Sequence, residues 1–248
     1  MSLRFFIVLL IALFTFSCTT SENHSHAPQA QNSERPPVVT ETMPEHSHDT
    51  ADPHMKMTEL RARNDEDLRG AEEVAAKARR AIEKYKDYKV ALRDRFEILL
   101  PEVPQTMYHF NKLENYLEAE SRFNPERPTS LLYEKNGDGY RLIGVMYTAP
   151  AGLSEDELNE RVPLSVTQWH QHINICLPRG SDTFRGLIGQ GDRFGLTGSI
   201  ATREECETAG GQFLPRLLGW MVHLYPYESA TEQMWSVERQ MNSDAVNP

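Results

Sequence analysis

The chain has 248 residues, enough for one domain of ordinary size or two small ones. It carries 36 acidic and 26 basic residues, which gives a formal net charge of −10, and it has no long basic run. Nucleic acids are therefore not expected partners, because a DNA- or RNA-binding surface needs clustered positive charge.

The N-terminal residues 1–18 have the pattern of an export signal. Arg4 precedes an apolar run over residues 5–16, which is too short for a permanent membrane helix but suits the core of a secretion signal. Thr15 to Cys18, read as Thr-Phe-Ser-Cys, resembles the lipobox of bacterial lipoproteins, although Thr15 stands where that motif usually has Leu. We therefore expect a signal peptide over 1–18 and a lipid on Cys18 that anchors the protein to a membrane of the bacterial cell envelope. Simple cleavage, which would leave a periplasmic protein, and a retained anchor are the alternatives.

Residues 19–55 are expected to form a disordered tether. They contain no aromatic residue and are rich in Ser, Thr, Pro, His and acidic residues. Such a segment cannot bury enough apolar area to offset the entropy lost on ordering. Its histidines either bind transition-metal ions weakly or belong to a polar spacer; they are His24, His26, His46, His48 and His54.

Residues 56–248 are expected to form a single α+β domain that begins with a long helix. Asn64 is placed to cap this helix, and apolar residues then recur at spacings of three and four. The pattern predicts a helix of about 30 residues that ends by Pro101. Its narrow, Ala-rich stripe is typical of a helix that packs closely on a sheet; the stripe comprises Leu68, Ala71, Ala75, Ala78, Ile82, Tyr85, Leu92 and Phe96.

The later segments predict a small, mostly antiparallel sheet. Two β-rich runs, 131–134 and 140–147, flank a Gly- and Asn-containing turn and indicate a hairpin. Further strands are expected at 169–177 and 217–225. Ser154 with Glu157, and Thr202 with Glu205, have the spacing of capping boxes that begin short helices. The six glycines between residues 178 and 199 indicate a long loop.

Cysteine usage agrees with export. If Cys18 carries the lipid, Cys176 and Cys206 remain as a pair in a compartment where disulfides persist. We expect a disulfide between them. The alternative is that Cys176 is a free thiolate ligand beside His172.

Four histidines outside the tether point to a joint site. Alternating strand geometry places His170 and His172 on one face of the strand at 169–177, together with Asn174 and Cys176. His223 lies in the late strand, and His109 lies in another apolar segment. A His-x-His pair with a third His from a neighbouring strand can hold Zn²⁺ at about 2.0–2.1 Å per nitrogen.

The metal site predicted from this pattern comprises His170, His172 and His223, with His109 as a fourth ligand or a neighbour of the ligands. Zinc is our first expectation. Copper is the alternative, because Met107 and Met221 each lie two residues before one of these histidines, and thioethers suit copper. A metal-free polar pocket and four unrelated positions are the other interpretations.

Several segments resemble, as an ordered set, a family of exported bacterial proteins that has no assigned function. These proteins have a Met-x-Tyr-His-like segment, a Leu-x-Tyr-Glu hairpin, a Trp-His-x-His strand and a late Trp-Met-x-His strand. The resemblance covers about residues 70–235. It implies that the four histidines belong to one shared pattern, and it implies no activity. The matching segments of this chain are 107–111, 128–134, 142–147, 169–176 and 219–223.

Three kinds of function agree with this sequence. The first is a metal-binding envelope protein in which the tether collects ions and the folded site holds one. The second is a metal-dependent hydrolase-type enzyme, in which three histidines and an open fourth position lower the pKa of bound water to about 7, with Glu134 or Glu228 as the base. The third is a non-catalytic structural or ligand-binding lipoprotein.

Overall fold

The computed structural model describes residues 52–180, 186–187 and 193–236. The predicted signal peptide, Cys18, almost all of the tether and part of the glycine-rich loop lie outside these residues. Within the described ranges, no helix combines the length and the apolar character needed to cross a membrane.

Seven strands form one sheet, and every pairing among them is antiparallel. The fold is α+β, as the sequence predicts, and the sheet is larger than expected. The strand order is β1-β6-β7-β5-β4-β3-β2. The strands are β1 (Met55–Met57), β2 (Glu97–Ile98), β3 (Tyr108–Asn111), β4 (Ser130–Asn136), β5 (Gly139–Ala149), β6 (His170–Pro178) and β7 (Gly211–Leu224).

The first helix, α1 (Asp65–Ile82), begins where the sequence predicts but is shorter. The Asn64 side chain accepts a hydrogen bond from the Asp67 backbone N–H and so caps the helix. The predicted length of about 30 residues is wrong, because the helix tightens into a 3₁₀ turn at Glu83–Lys86 and then stops. Asp87 accepts a hydrogen bond from the Lys89 N–H and begins a separate helix, α2 (Tyr88–Arg93).

Four further helices are short: α3 (Leu113–Ala119), α4 (Glu155–Arg161), α5 (Arg203–Thr208) and α6 (Thr231–Met234). The predicted capping box at the start of α4 is present, since the Ser154 hydroxyl accepts from the Glu157 N–H and the Glu157 carboxylate accepts from the Ser154 N–H. Thr202 caps α5 in a similar way, accepting from the Glu205 N–H.

The predicted hairpin is confirmed as β4 and β5. Asn136 pairs with Gly139, so the turn between the strands contains only Gly137 and Asp138. Gly137 has φ 56, a left-handed conformation that such tight turns require and that glycine adopts without steric cost.

The two faces of the sheet carry different side chains. One face packs against α1 and contributes large aromatic residues to the main core, among them Phe110, Tyr133, Trp169 and Trp220. The opposite face is defined by registers that place His109 beside Leu132, Met146 beside His223, and Met221 beside His170. We call it the histidine face; its members are His109, Leu132, Met146, His170, His172, Met221 and His223.

The disulfide between Cys176 and Cys206 is confirmed, with 5.5 Å between the two Cα atoms. It ties β6 to α5, and both cysteines are fully buried with Ile200. Gly211 passes so close that a Cβ atom there would lie 2.5 Å from the Cys176 sulfur. The alternative role of Cys176 as a free thiolate ligand is therefore excluded in this structure.

The folded part includes residues that the sequence assigned to the tether. His54 is 3% exposed, and its ring nitrogens contact the Asn174 carbonyl oxygen at 3.1 Å and the Gly198 carbonyl oxygen at 2.6 Å. Met55 begins β1, which pairs with β6. These contacts come from partners more than 100 residues away, so local composition did not indicate them.

Candidate functional site

The four histidines predicted as a site lie together on the histidine face. The ring centroids are 5.4 Å apart for His170 and His172, 5.3 Å for His170 and His223, and 5.7 Å for His109 and His223. His170 therefore contacts both His172 and His223, and His109 contacts His223. Three strands, β3, β6 and β7, contribute these side chains.

The pairing of β6 with β7 explains how three of the rings meet. His170 pairs with Met221, and His223 lies two residues further along β7 on the same face. The register shifts between His170 and His172, with Leu218 at φ 64 in the bulged part of β7. Such a bulge bends a strand and re-aims its side chains.

His109 lies much closer to His223 than the positions of their strands in the sheet would suggest. Strands β4 and β5 separate β3 from β7, so in a flat sheet the two Cα atoms would be about 14 Å apart at the usual strand spacing. Because the ring centroids are only 5.7 Å apart, we infer that the histidine face is concave and that the two side chains lean toward each other.

The pairing of β4 with β5 shows one source of this curvature. Leu132 pairs with Gly144 but Tyr133 pairs with Leu142, so a β-bulge interrupts the ladder beside the site. Gly144 is also a point of close approach, because a Cβ atom there would lie 2.5 Å from the Leu224 carbonyl oxygen. Gly144 was not among the candidate residues of the sequence, and a glycine inside a strong strand pattern is the signal that could have found it.

The rings lie in an environment that favours the neutral imidazole. His170, His172 and His223 are 1%, 7% and 2% exposed, and His109 is half-buried. Burial lowers the pKa of His109 to about 4, with a further lowering from His172. Burial also lowers the pKa of His223 well below its usual value of 6.5, and the other three histidines add to this effect. A neutral imidazole keeps a nitrogen lone pair that can bind a metal ion.

The spacing of the rings can be compared with that of metal ligands. Imidazole nitrogens bind Zn²⁺ at about 2.0–2.1 Å, so the ring centres of two ligands on one ion lie about 5 Å apart. The three centroid distances are close to this value. In the part of the chain that the structure describes, however, no group of three or more His, Cys, Asp or Glu side chains is arranged to hold a metal ion. A complete ligand set would need a ring rotation or a ligand of another type.

Two other predicted features of the site differ in the structure. The first is the polar face predicted for β6. Asn174 has φ 56, which interrupts the strict alternation of the strand, and its side chain donates a hydrogen bond to the Pro53 carbonyl oxygen. Cys176 is in the disulfide. The second is the pair of candidate bases, neither of which is fully buried. Glu134 forms a surface ion pair with Arg141, and Glu228 is half-buried.

More methionines lie beside the histidines than the sequence pattern predicts. Met55 pairs with His172, Met57 pairs with His170, and Met146 pairs with His223. Of the methionines near the histidines, only Met107 and Met221 were predicted from the sequence to lie beside them. The alternate spacing of Met55 and Met57 was a usable signal, but it lies at the end of a segment with the composition of a tether.

Comparisons of the chain with protein-family models, with curated proteins and with solved structures find no match.

Proposed function

We propose that this protein is an exported, lipid-anchored metal-binding protein whose histidine face holds one transition-metal ion. The observation that carries the proposal is the position of His170, whose ring lies within 5.4 Å of its strand neighbour His172 and of His223 from strand β7. His109 extends the same cluster from a third strand.

The chemistry of the cluster supports metal binding. Several imidazoles placed side by side in a protein interior cannot all be charged, because each positive charge raises the cost of the next. Neutral rings avoid this cost and offer lone pairs to one cation, and imidazole is the commonest protein ligand of metal ions.

Burial favours a binding role over the catalytic alternative. A catalytic metal keeps a ligand position that water and substrate can reach. His170 and His223 are almost completely buried, and none of the Asp and Glu residues described by the structure is buried near them to act as a base. An enclosed site of this kind suits retention of an ion.

Export and anchoring complete the proposal. The signal-like residues 1–18 and the lipobox-like residues before Cys18 support them, and a disulfide such as Cys176–Cys206 persists in oxidising compartments. The tether histidines that lie outside the described residues would deliver ions to the folded site; they are His24, His26, His46 and His48.

The test is metal retention by the full-length chain purified in detergent. His24, His26, His46 and His48 are replaced by Asn in every sample, so that weak binding in the tether does not contribute. After exposure to Zn²⁺ or to copper and exhaustive dialysis, elemental analysis is expected to find about one metal ion per chain. His170→Gln is expected to reduce this several-fold.

His54→Gln is the matched control, because His54 is equally buried but contacts the carbonyl oxygens of Asn174 and Gly198. It should retain the metal. Less than about a tenth of an equivalent in the unsubstituted site, or equal retention in the His170→Gln variant, would rule out the proposal.

A further inference from the structure

The methionines of this protein are concentrated beside the histidines. The chain has nine methionines, and five of them lie around this cluster: Met55, Met57, Met107, Met146 and Met221. Half of the six buried apolar residues next to the histidines are methionine. By contrast, none of the buried residues described in the main core is methionine. Ordinary core filling would place methionine on both sides of the sheet.

The register places thioethers directly opposite imidazoles. His170 has Met57 on one side, from β1, and Met221 on the other side, from β7. His172 has Met55 opposite it. Directly opposite residues of antiparallel strands have Cβ atoms about 4.5–5.5 Å apart, so a flexible methionine can bring its sulfur to a cation bound at the neighbouring ring.

The charge of the site favours a monovalent cation. A buried ion needs compensating charge, and the cost of burying it rises with its own charge. The cluster supplies imidazoles and thioethers, which are neutral, and none of the Asp and Glu side chains that the structure describes is buried. A divalent ion such as Zn²⁺ would therefore keep its full charge in an apolar environment.

We infer that the histidine face binds a soft monovalent cation, Cu(I), through imidazole nitrogens together with the thioether sulfurs of Met57 and Met221. This inference rests on the proposed metal-binding function and specifies the ion and the second ligand type. Soft sulfur ligands select Cu(I) over harder ions. A mixed set also completes the coordination without requiring three imidazoles to converge on one point. It changes the order of the two metals expected from the sequence, in which zinc came first.

The experiment is an anaerobic competition titration of the full-length chain, again with His24, His26, His46 and His48 replaced by Asn. Cu(I) is offered against a coloured Cu(I) chelator, and Zn²⁺ is offered separately against a zinc indicator. We expect one tight Cu(I) site with an affinity at least 100-fold greater than that for Zn²⁺. Replacing both thioethers, Met57→Leu with Met221→Leu, should weaken Cu(I) binding at least tenfold and leave Zn²⁺ binding unchanged.

Met234→Leu is the matched control, because Met234 packs at the edge of the main core, and it should not change Cu(I) binding. X-ray absorption of the unsubstituted Cu(I) form should show sulfur bound to copper; this readout does not depend on the folding of a variant.

Two outcomes separate the two proposals. In the first, His170→Gln removes metal binding, but the double methionine variant keeps its Cu(I) affinity and X-ray absorption shows only nitrogen ligands. The metal-binding function then stands, and the thioether inference fails. If the unsubstituted chain binds neither ion at this site, both fail.

Discussion

The ring of His170 lies 5.3 Å from that of His223 at an angle of 88°, and it also contacts the ring of His172. His109 contacts the ring of His223 and is only half-buried. We therefore expect His170→Gln to weaken metal binding more than His109→Gln. Loss of a residue that only orients a metal ligand typically lowers metal affinity about 10- to 100-fold, and His170→Gln should lower it by more than that. Competition titration of both variants checks the order; equal losses would contradict it.

The stability of the metal-free protein should fall as the pH is lowered from about 6.5 toward 4. In the folded state, burial lowers the pKa of His109 to about 4 and that of His223 well below 6.5. Between pH 6.5 and about 4 the unfolded chain binds protons that the folded chain does not. The stabilisation is therefore complete above pH 6.5 and is lost progressively below it. His109 alone should contribute a loss on the order of 1–3 kcal/mol, reduced by its partial exposure. Urea unfolding at pH 7.5, 6.0 and 5.0 checks this, and His109→Gln should flatten the profile.

Loss of the disulfide should destabilise the fold. Cys176 and Cys206 are 30 residues apart, and a cross-link over that distance adds about 3–4 kcal/mol in the chain-entropy model. Unfolding of the oxidised protein and of the Cys176→Ala, Cys206→Ala double variant measures the difference. A reducing agent should lower the free energy of unfolding of the parent protein to about that of the variant and leave the variant unchanged. A parent protein whose stability does not change on reduction would contradict the presence of this bond.

Gly144→Ala should disturb both the fold and the metal site. The added methyl group would lie 2.5 Å from the Leu224 carbonyl oxygen and 3.0 Å from the Tyr225 ring, so β5 must shift away from the end of β7. We expect a loss of about 1–3 kcal/mol, typical of overpacking, and weaker metal binding because His109 moves away from His223. Gly70→Ala is the control: it has open space around it in α1, and it should be neutral or stabilising by up to about 1 kcal/mol.

His54→Ala should lower stability without removing the metal. The substitution leaves the carbonyl oxygens of Asn174 and Gly198 without their contacts to the ring, at a cost of about 1–3 kcal/mol for buried acceptors. Thermal unfolding and elemental analysis of the same preparation test both parts. A metal content that falls together with the melting temperature would show that His54 belongs to the binding site.

The sequence predicted those parts of the fold that depend on neighbours in the chain. The cap at Asn64, the hairpin turn at Gly137 and the capping box at Ser154 use contacts within a few residues, and each is present. The strand predicted at 217–225 is also present as the end of β7, with Met221 on one face and Trp220 on the other. The length of α1 was wrong because Asp87 has a side chain that competes for backbone N–H groups, and the apolar periodicity did not show this.

The rest of the site depends on distant partners. Strand β1 forms because Met55 and Met57 find β6 more than 100 residues later, and its own composition resembles a spacer. Alternation placed each histidine on a face, but the distance between His109 and His223 depends on curvature set by a bulge and by Gly144. Such long-range geometry has no signature in residue spacing, so the predicted joint site rested on the His-x-His alternation, on the number of histidines and on the resemblance.

The edge position of β1 has a practical consequence for biochemical work. A shortened chain beginning at residue 56, where composition alone puts the domain boundary, would lack His54 and Met55 and would start inside a strand of three residues. Such a fragment would lose the bonds of the His54 ring to Asn174 and Gly198 and the methionine opposite His172. Shortened versions for crystallisation or spectroscopy should therefore begin before Asp52, whose carboxylate accepts a hydrogen bond from the His54 backbone N–H.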